Sequence, residues 1–156
     1  MPQGFGIGVS YGQANSVSAD LYYFNTVHQF HLGYCMQTSD ARGNPVDDPA
    51  SHGGTIESTG SYFYSVDMGY AYYLTENIPV EAIISVGRKC YYTNYLDSGF
   101  SAGGYHSIDS KKNAIGLGLD VGYNFRSLFE LYAGYHTLRK IYIGVRIPIP
   151  DFIGSF

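Results

Sequence analysis

The chain has 156 residues and a formal net charge of −4; only 14% of its residues are charged, while 17% are aromatic, with 17 Tyr, 20 Gly and no Trp. Soluble domains carry about a quarter charged residues, so this one has too few charges to coat a water-facing surface, and its length allows a single domain, 1–156. The acidic balance excludes an overall basic field for nucleic acid, and no apolar run approaches the roughly 18 residues that a membrane-crossing helix needs.

Met1-Pro2-Gln3 leads straight into a strand pattern without a basic and then apolar leader, so Met1 is read as a start standing in for a removed signal segment. Strand one, near 4–12, sets Phe5, Ile7, Val9 and Tyr11 against Gly4, Gly6, Gly8 and Ser10. Strands two and three are expected near 19–25 and 28–38. Tyr22, Phe24, Phe30, Leu32, Tyr34 and Met36 share parity there, and the break is placed at 25–28, where polar Thr26 and His28 interrupt the apolar face. Strand four, 61–74, alternates Tyr62, Tyr64, Val66, Met68, Tyr70 and Tyr72 with Ser65, Asp67, Gly69 and Ala71. Strand five is expected near 79–95. Strand six, 111–125, shows period two most clearly, with Ile115, Leu117, Leu119, Val121, Tyr123 and Phe125 opposed to Gly116, Gly118, Asp120, Gly122 and Asn124. Strand seven is placed at 128–137. Strand eight, 140–149, sets Ile141, Ile143, Val145, Ile147 and Ile149 against Tyr142, Gly144 and Arg146.

Eight strands suit a closed single-chain barrel. The connections 12–18, 38–60 and 97–110 read as long polar loops; 25–28, 75–78 and Arg126-Ser127 are short, and Leu138-Arg139 is a short link on the long-loop side. Alternation alone also fits a soluble barrel with an apolar ligand inside. The polar face decides between them: it is mostly Gly, Ser and Ala, which waste stability if exposed on strands but suit a narrow lumen. The expected fold is therefore all-β, an eight-stranded antiparallel up-and-down transmembrane β-barrel whose apolar face meets lipid. Cys35 and Cys90 fall on opposite sides of such a wall and read as two unpaired packing residues.

With the alternations 115–125, 62–74 and 141–149 in place, the chain resembles the small eight-stranded outer-membrane barrels. That group includes OmpX-like adhesion and resistance proteins, the OmpA transmembrane domain and the lipid A acyl-modifying barrels. The resemblance implies a Gram-negative bacterial outer membrane. It also implies a terminal aromatic read by the assembly machinery; Phe156 is last here, but Pro148 and Pro150 separate it from the strand pattern. The lipid A deacylase barrels carry a His and a Ser two apart on one strand face, and no His-x-Ser occurs in this sequence.

Two constellations stand out. Asp67, Glu81, Asp120, Glu130, Arg146 and His136, with Lys89, His31, Tyr132 and Asn124, share the polar face, and a register through 137–139 sets Glu130 opposite Arg146 and His136 opposite Lys140. A charge in a narrow interior persists only when paired, so Glu130 and Arg146 are expected as a lumen ion pair in a plugged bore. Six of the nine Lys and Arg, namely Arg88, Lys89, Lys111, Lys112, Arg139 and Lys140, are expected on one rim facing lipopolysaccharide phosphates.

Other patterns read as structural. Gly116-x-Gly118-x-x-x-Gly122 lies within a strand and is lumen packing. His28 and His31 face opposite sides and share no metal, His52 with Asp47, Asp48 and Glu57 reads as a solvated acidic loop, and His106, Ser107 and Asp109 sit in one loop without triad geometry. No cofactor, metal or catalytic residue is expected. The expected role is membrane structure plus surface interaction, with lipid and lipopolysaccharide as partners and a partner protein touching loops 38–60 and 97–110. The alternatives are a lipid A-modifying enzyme and a soluble barrel binding an apolar ligand.

Overall fold

Period-two alternation over so many segments leaves each strand with one apolar and one small or polar face, and closing the sheet buries one of them. The structure, a computed structural model, describes residues 4–149 apart from 26, 101, 126 and 127. Met1, Pro2, Gln3, Thr26, Arg126, Ser127, Pro150 and Phe156 lie outside the described residues, and with them the expectations for the chain start, the Arg126-Ser127 turn and the terminal aromatic.

The strands are β1 (Gly4–Gly12), β2 (Ser16–Phe24), β3 (His28–Gln37), β4 (Thr55–Thr75), β5 (Ile78–Leu96), β6 (Gly104–Phe125), β7 (Phe129–His136) and β8 (Lys140–Ile149). Each pairs antiparallel with its neighbour in sequence, and β1 pairs with β8 from Phe5↔Ile149 to Gly12↔Tyr142, which closes the barrel. The aliphatic face points out: Ile115 is 71% exposed, Leu119 63% and Ile143 64%. The soluble alternative would need these side chains packed on the axis. Instead the axis holds Asp67, Glu81, His136 and Tyr142, all fully buried.

Four expectations need correction. β2 begins at Ser16, so the connection expected over 12–18 is a tight turn at 13–15, in which Asn15 takes a φ of 52°. β2 also faces the other way from its expected parity. Leu21 points out and Tyr22 is only 2% exposed, because the turn after Phe24 sets Phe24 opposite Gln29 and Tyr22 opposite His31. That turn is held by the Asn25 side chain, whose Oδ1 accepts the N–H groups of Val27 (3.1 Å) and His28 (2.9 Å). The long loops are shorter than expected, 38–54 and 97–103, since β4 starts at Thr55 and β6 at Gly104. Above the hydrocarbon a strand needs no apolar face, so Ser, Thr and Gly pair there without the alternation that marks the lower part. Last, His106 and Ser107 belong to a strand and not to a loop.

β4, β5 and β6 run 21, 19 and 22 residues, against 9 for β1 and 8 for β7. The last β3 rung on β4 is Met36↔Tyr64, and β7 stops pairing with β6 at Gly118↔His136. Beyond these points β4–β5–β6 continues as a three-stranded sheet, running some 30 Å along β4 at about 3.3 Å per residue.

The outward belt sets the first expected outcome. Ile84→Arg, in the middle of the β5 belt, should destabilise the barrel by about 2–4 kcal/mol in urea titrations in phospholipid vesicles, whereas Leu96→Arg on the extension should cost close to nothing.

Candidate functional site

Inside the bore, glycines make room for large polar side chains that lean over from the neighbouring strand. A Cβ at Gly144 would overlap the Tyr132 ring, and one at Gly116 would overlap the His136 imidazole. Arg146 of β8 occupies the centre. Its Nη1 donates to Glu130 and its Nη2 to Glu81, with Asp120 Oδ2 3.3 Å from Nη2. Glu130 and Arg146 are direct cross-strand partners, as His136 and Lys140 are. The guanidinium lies between the rings of Tyr132 (4.0 Å) and Tyr22 (4.5 Å), a geometry in which aromatic faces stabilise a cation.

The network extends on both sides of Arg146. Glu81 Oε1 lies 2.5 Å from His31 Nδ1, Tyr142 donates to Asp120 (2.9 Å), and Tyr73 donates to Gln29 (2.8 Å) and to Glu130 (3.3 Å). A second centre forms around Arg139. It sits 3.1 Å from Asp67, donates to Ser10 (3.3 Å) and Ser18 (3.4 Å), and covers the Tyr142 ring at 4.5 Å. Arg139, which its place between two strands marks for the phosphate rim, is instead 2% exposed. The tight 137–139 turn, with Lys140 at a φ of 64°, turns its side chain inward to the buried Asp67 carboxylate. Asp20, His31, Ser85, Tyr22, Tyr73 and Tyr142 complete the interior, which holds five carboxylates and two guanidinium groups among the described residues.

One Ser–His pair lies in the bore. Ser85 Oγ is 2.9 Å from His136 Nε2, while His136 Nδ1 accepts the N–H groups of Leu138 (3.2 Å) and Arg139 (3.5 Å). An imidazole whose Nδ1 accepts carries its proton on Nε2, so it donates to Ser85 and cannot take the serine proton. His106 and Ser107 do not pair either: His106 Nδ1 meets the Arg42 carbonyl at 2.7 Å, and Ser107 donates to Asp109 at 3.0 Å. The described residues contain no cluster able to hold a metal.

No family model matches this chain, and no curated protein does. Solved structures do match it. In fold the chain is similar to Ail. The crystal structure of Ail, the attachment invasion locus protein of Yersinia pestis, superposes with a TM-score of 0.51 at 14% identity over 94% of this chain and 91% of that one. Ail in complex with the heparin analogue sucrose octasulfate gives a TM-score of 0.50 at 13% identity over the same shares. Neisserial surface protein A gives 0.44 at 17% identity over 93% of each chain. At these identities the likeness to Ail concerns the eight-stranded membrane barrel and carries no side chain with it.

Above the barrel the Ail-like ring gives way to the three-stranded extension, and loop 38–54 wraps its tip. Tyr92 donates to the Asp40 carboxylate, Asn94 Nδ2 to the Asp40 carbonyl (3.1 Å), and the Arg42 N–H to Asn94 Oδ1 (2.9 Å). The loop then meets the β6 edge through Val46 N–H and the His106 carbonyl (2.8 Å), and it returns along the other face, where Tyr105 donates to the Pro49 carbonyl at 3.0 Å. His52, expected in a solvated acidic loop, packs on Phe100 and Tyr105. Glu57 pairs with Arg42 through two hydrogen bonds. Cys35 is buried on the lumen side and Cys90 beneath the loop on the outward-parity face; both thiols are free. Of the other rim candidates, Arg88 and Lys111 carry outward parity, Lys89 and Lys112 the opposite parity, and Lys140 Nζ folds onto the Thr137 carbonyl (3.1 Å).

Two outcomes follow from this geometry. Arg146→Met leaves Glu81, Asp120 and Glu130 facing one another without a cation, and should cost about 3–5 kcal/mol in urea titrations. The Arg42 guanidinium, chiefly by hydrogen bonding, holds the Glu57 carboxyl below its ordinary 4.5. A depressed carboxylate contributes stability that is present above the ordinary value and lost as the pH falls through the folded one. Hydrogen exchange at the loop amides of Arg42 and Val46 should therefore be slow at pH 6 and speed up below about pH 4 relative to the intrinsic rate, and Glu57→Gln should exchange fast at both.

Proposed function

We propose that the chain is a non-enzymatic surface barrel of a Gram-negative bacterial outer membrane, with a plugged polar lumen and an extracellular sheet that meets partners. The observation that carries this reading is the belt of outward aliphatic side chains surmounted by the β4–β6 extension. The belt demands hydrocarbon around it. Arg146 and Arg139, stacked on tyrosines along the axis and held by carboxylates, support the plugged lumen, since eight strands enclose little more than their own side chains.

Contact with the membrane surface is assigned to Arg88 and Lys111 on the outward-parity face, Arg88 next above Val86 and Lys111 above Ile115 with Asn113 between. Lipopolysaccharide phosphates at that level call for cations of this kind. Partner-protein contact is assigned to the extension with its loops 38–54 and 97–103. Among the described residues, β4 over 55–63 pairs with β5 alone, which leaves one edge open to strand addition. A lipid A-modifying activity finds no support in the tautomer and burial of the Ser85–His136 pair.

The purified chain should require detergent or lipid to fold and should run at different positions on boiled and unboiled gels; a monomer that folds in plain buffer rejects the membrane reading. Arg88→Gln with Lys111→Gln should lower affinity for lipopolysaccharide in nanodiscs by about five- to tenfold, consistent with the loss of two charge-assisted contacts. Unchanged affinity removes these residues from the phosphate contact.

A further inference from the structure

The four basic residues at the top of β5 and β6 divide between the two faces of the sheet. Lys89 and Lys112 share the parity opposite to Arg88 and Lys111 and are direct cross-strand partners. Like charges facing each other on a ladder destabilise it. Among the described residues no carboxylate lies within ion-pair distance of either ammonium. Instead both are gathered at one aromatic ring: each Nζ sits 5.4 Å from the centre of Tyr91. Their rung lies above the last pairing of β3 on β4, since Met36 pairs with Tyr64 and Tyr64 with Arg88. It also lies above the last pairing of β7 on β6 at Gly118. This side of the sheet therefore rises over the barrel mouth and faces water, whereas Arg88 and Lys111 face the membrane side.

Asp109 on this side is engaged by Thr93 and Ser107, so two ammoniums without an ion-pair partner, held at one ring, form an arrangement that an anion completes. A sulfate or phosphate group, whose several oxygens can be shared between the two ammoniums, lowers their repulsion and accepts charge-assisted hydrogen bonds from them. The half-buried Tyr91 ring adds a flat apolar surface beside the charges, which a bare ion does not use and the C–H face of a sugar does. We propose that Lys89, Lys112 and Tyr91 form a binding site for an anionic saccharide carrying sulfate or phosphate, separate from the outward pair Arg88 and Lys111. The inference rests on the outer-surface reading above for its aqueous exposure, and assigns to the mouth-facing side a ligand of its own.

The test uses the full chain folded in detergent and in nanodiscs, with sucrose octasulfate as the soluble probe and lipopolysaccharide as the lipid-borne one. Lys89→Gln with Lys112→Gln should weaken sucrose octasulfate binding at least tenfold by calorimetry, and Tyr91→Ala about fivefold. The same lysine double variant should keep or raise the thermal midpoint, because removing a like-charge pair relieves the sheet; a merely structural role predicts a lower midpoint. Arg88→Gln with Lys111→Gln should change sucrose octasulfate binding by less than twofold. In the lipopolysaccharide nanodisc arm, a tenfold loss for Lys89→Gln with Lys112→Gln identifies the lipid's own sugar phosphates as a source. Retention there identifies a free saccharide. Sucrose octasulfate affinity within twofold of the parent for the Lys89 and Lys112 variant, or equal losses for both pairs of variants, overturns the site. Failure of the membrane-contact reading shows separately, as lipopolysaccharide affinity untouched by the Arg88 and Lys111 variant.

Discussion

Hydrocarbon offers no partner to a backbone N–H or C=O, so a sheet that crosses it must close on itself. The eight rungs from Phe5↔Ile149 to Gly12↔Tyr142 do this, and everything else in the molecule follows from the ring they complete. Closure at eight strands fixes a bore too narrow for opposed large side chains. Large inward side chains must then lie flat over small residues of the next strand, which is why Tyr132 covers Gly144 and His136 covers Gly116. The same confinement explains the chemistry of the interior. A charge there has no water to lean on, so Arg146 gathers Glu81, Asp120 and Glu130 and sits between two tyrosine rings.

Where the membrane ends, the constraint relaxes and the architecture changes. β4, β5 and β6 continue without β3 and β7 beside them, because water can satisfy an open edge. The tip is stabilised by a different set of contacts. Loop 38–54 lays Asp40 and Arg42 over Tyr92, Asn94 and His106, reaches the β6 edge at Val46, and returns with Pro49 at Tyr105. Two regimes of bonding thus share three strands, an apolar exterior below and a hydrogen-bonded wrap above. The basic residues lie at the junction, and the strand alternation deals them to opposite faces.

Much of this was legible in the chain itself. Strict period two in 115–125 and 141–149 placed the aliphatic residues on one face, and the short 137–139 link set Glu130 opposite Arg146. Other features were not. Arg139 reads as a rim residue because it sits in a turn between two strands, and nothing local shows that the turn aims it at Asp67 on β4. Tyr22 reads as outward because it shares parity with Phe30 and Leu32, yet the Asn25 turn reverses the face. Asp20 is hidden by the same reversal, although Ser16 and Ser18 on its parity mark a small, polar face. The strands above the membrane extend past their sequence signal for a related reason. Hydropathy alternation marks contact with lipid rather than pairing, and Gly104–Ser110 pairs without it.

Residue type and spacing suffice for the class of the molecule: strands only, alternating, too poor in charge for a soluble surface and too rich in glycine for an exposed polar face. Those are local properties, written in residue type and spacing. The folded barrel alone reveals which carboxylates share Arg146, that Ser85 and His136 meet, and that Lys89 and Lys112 stand together at Tyr91 while Arg88 and Lys111 look the other way. Such meetings depend on the stagger between strands and on the direction each turn imposes. Both are settled by closure of the whole ring, and by no segment taken alone.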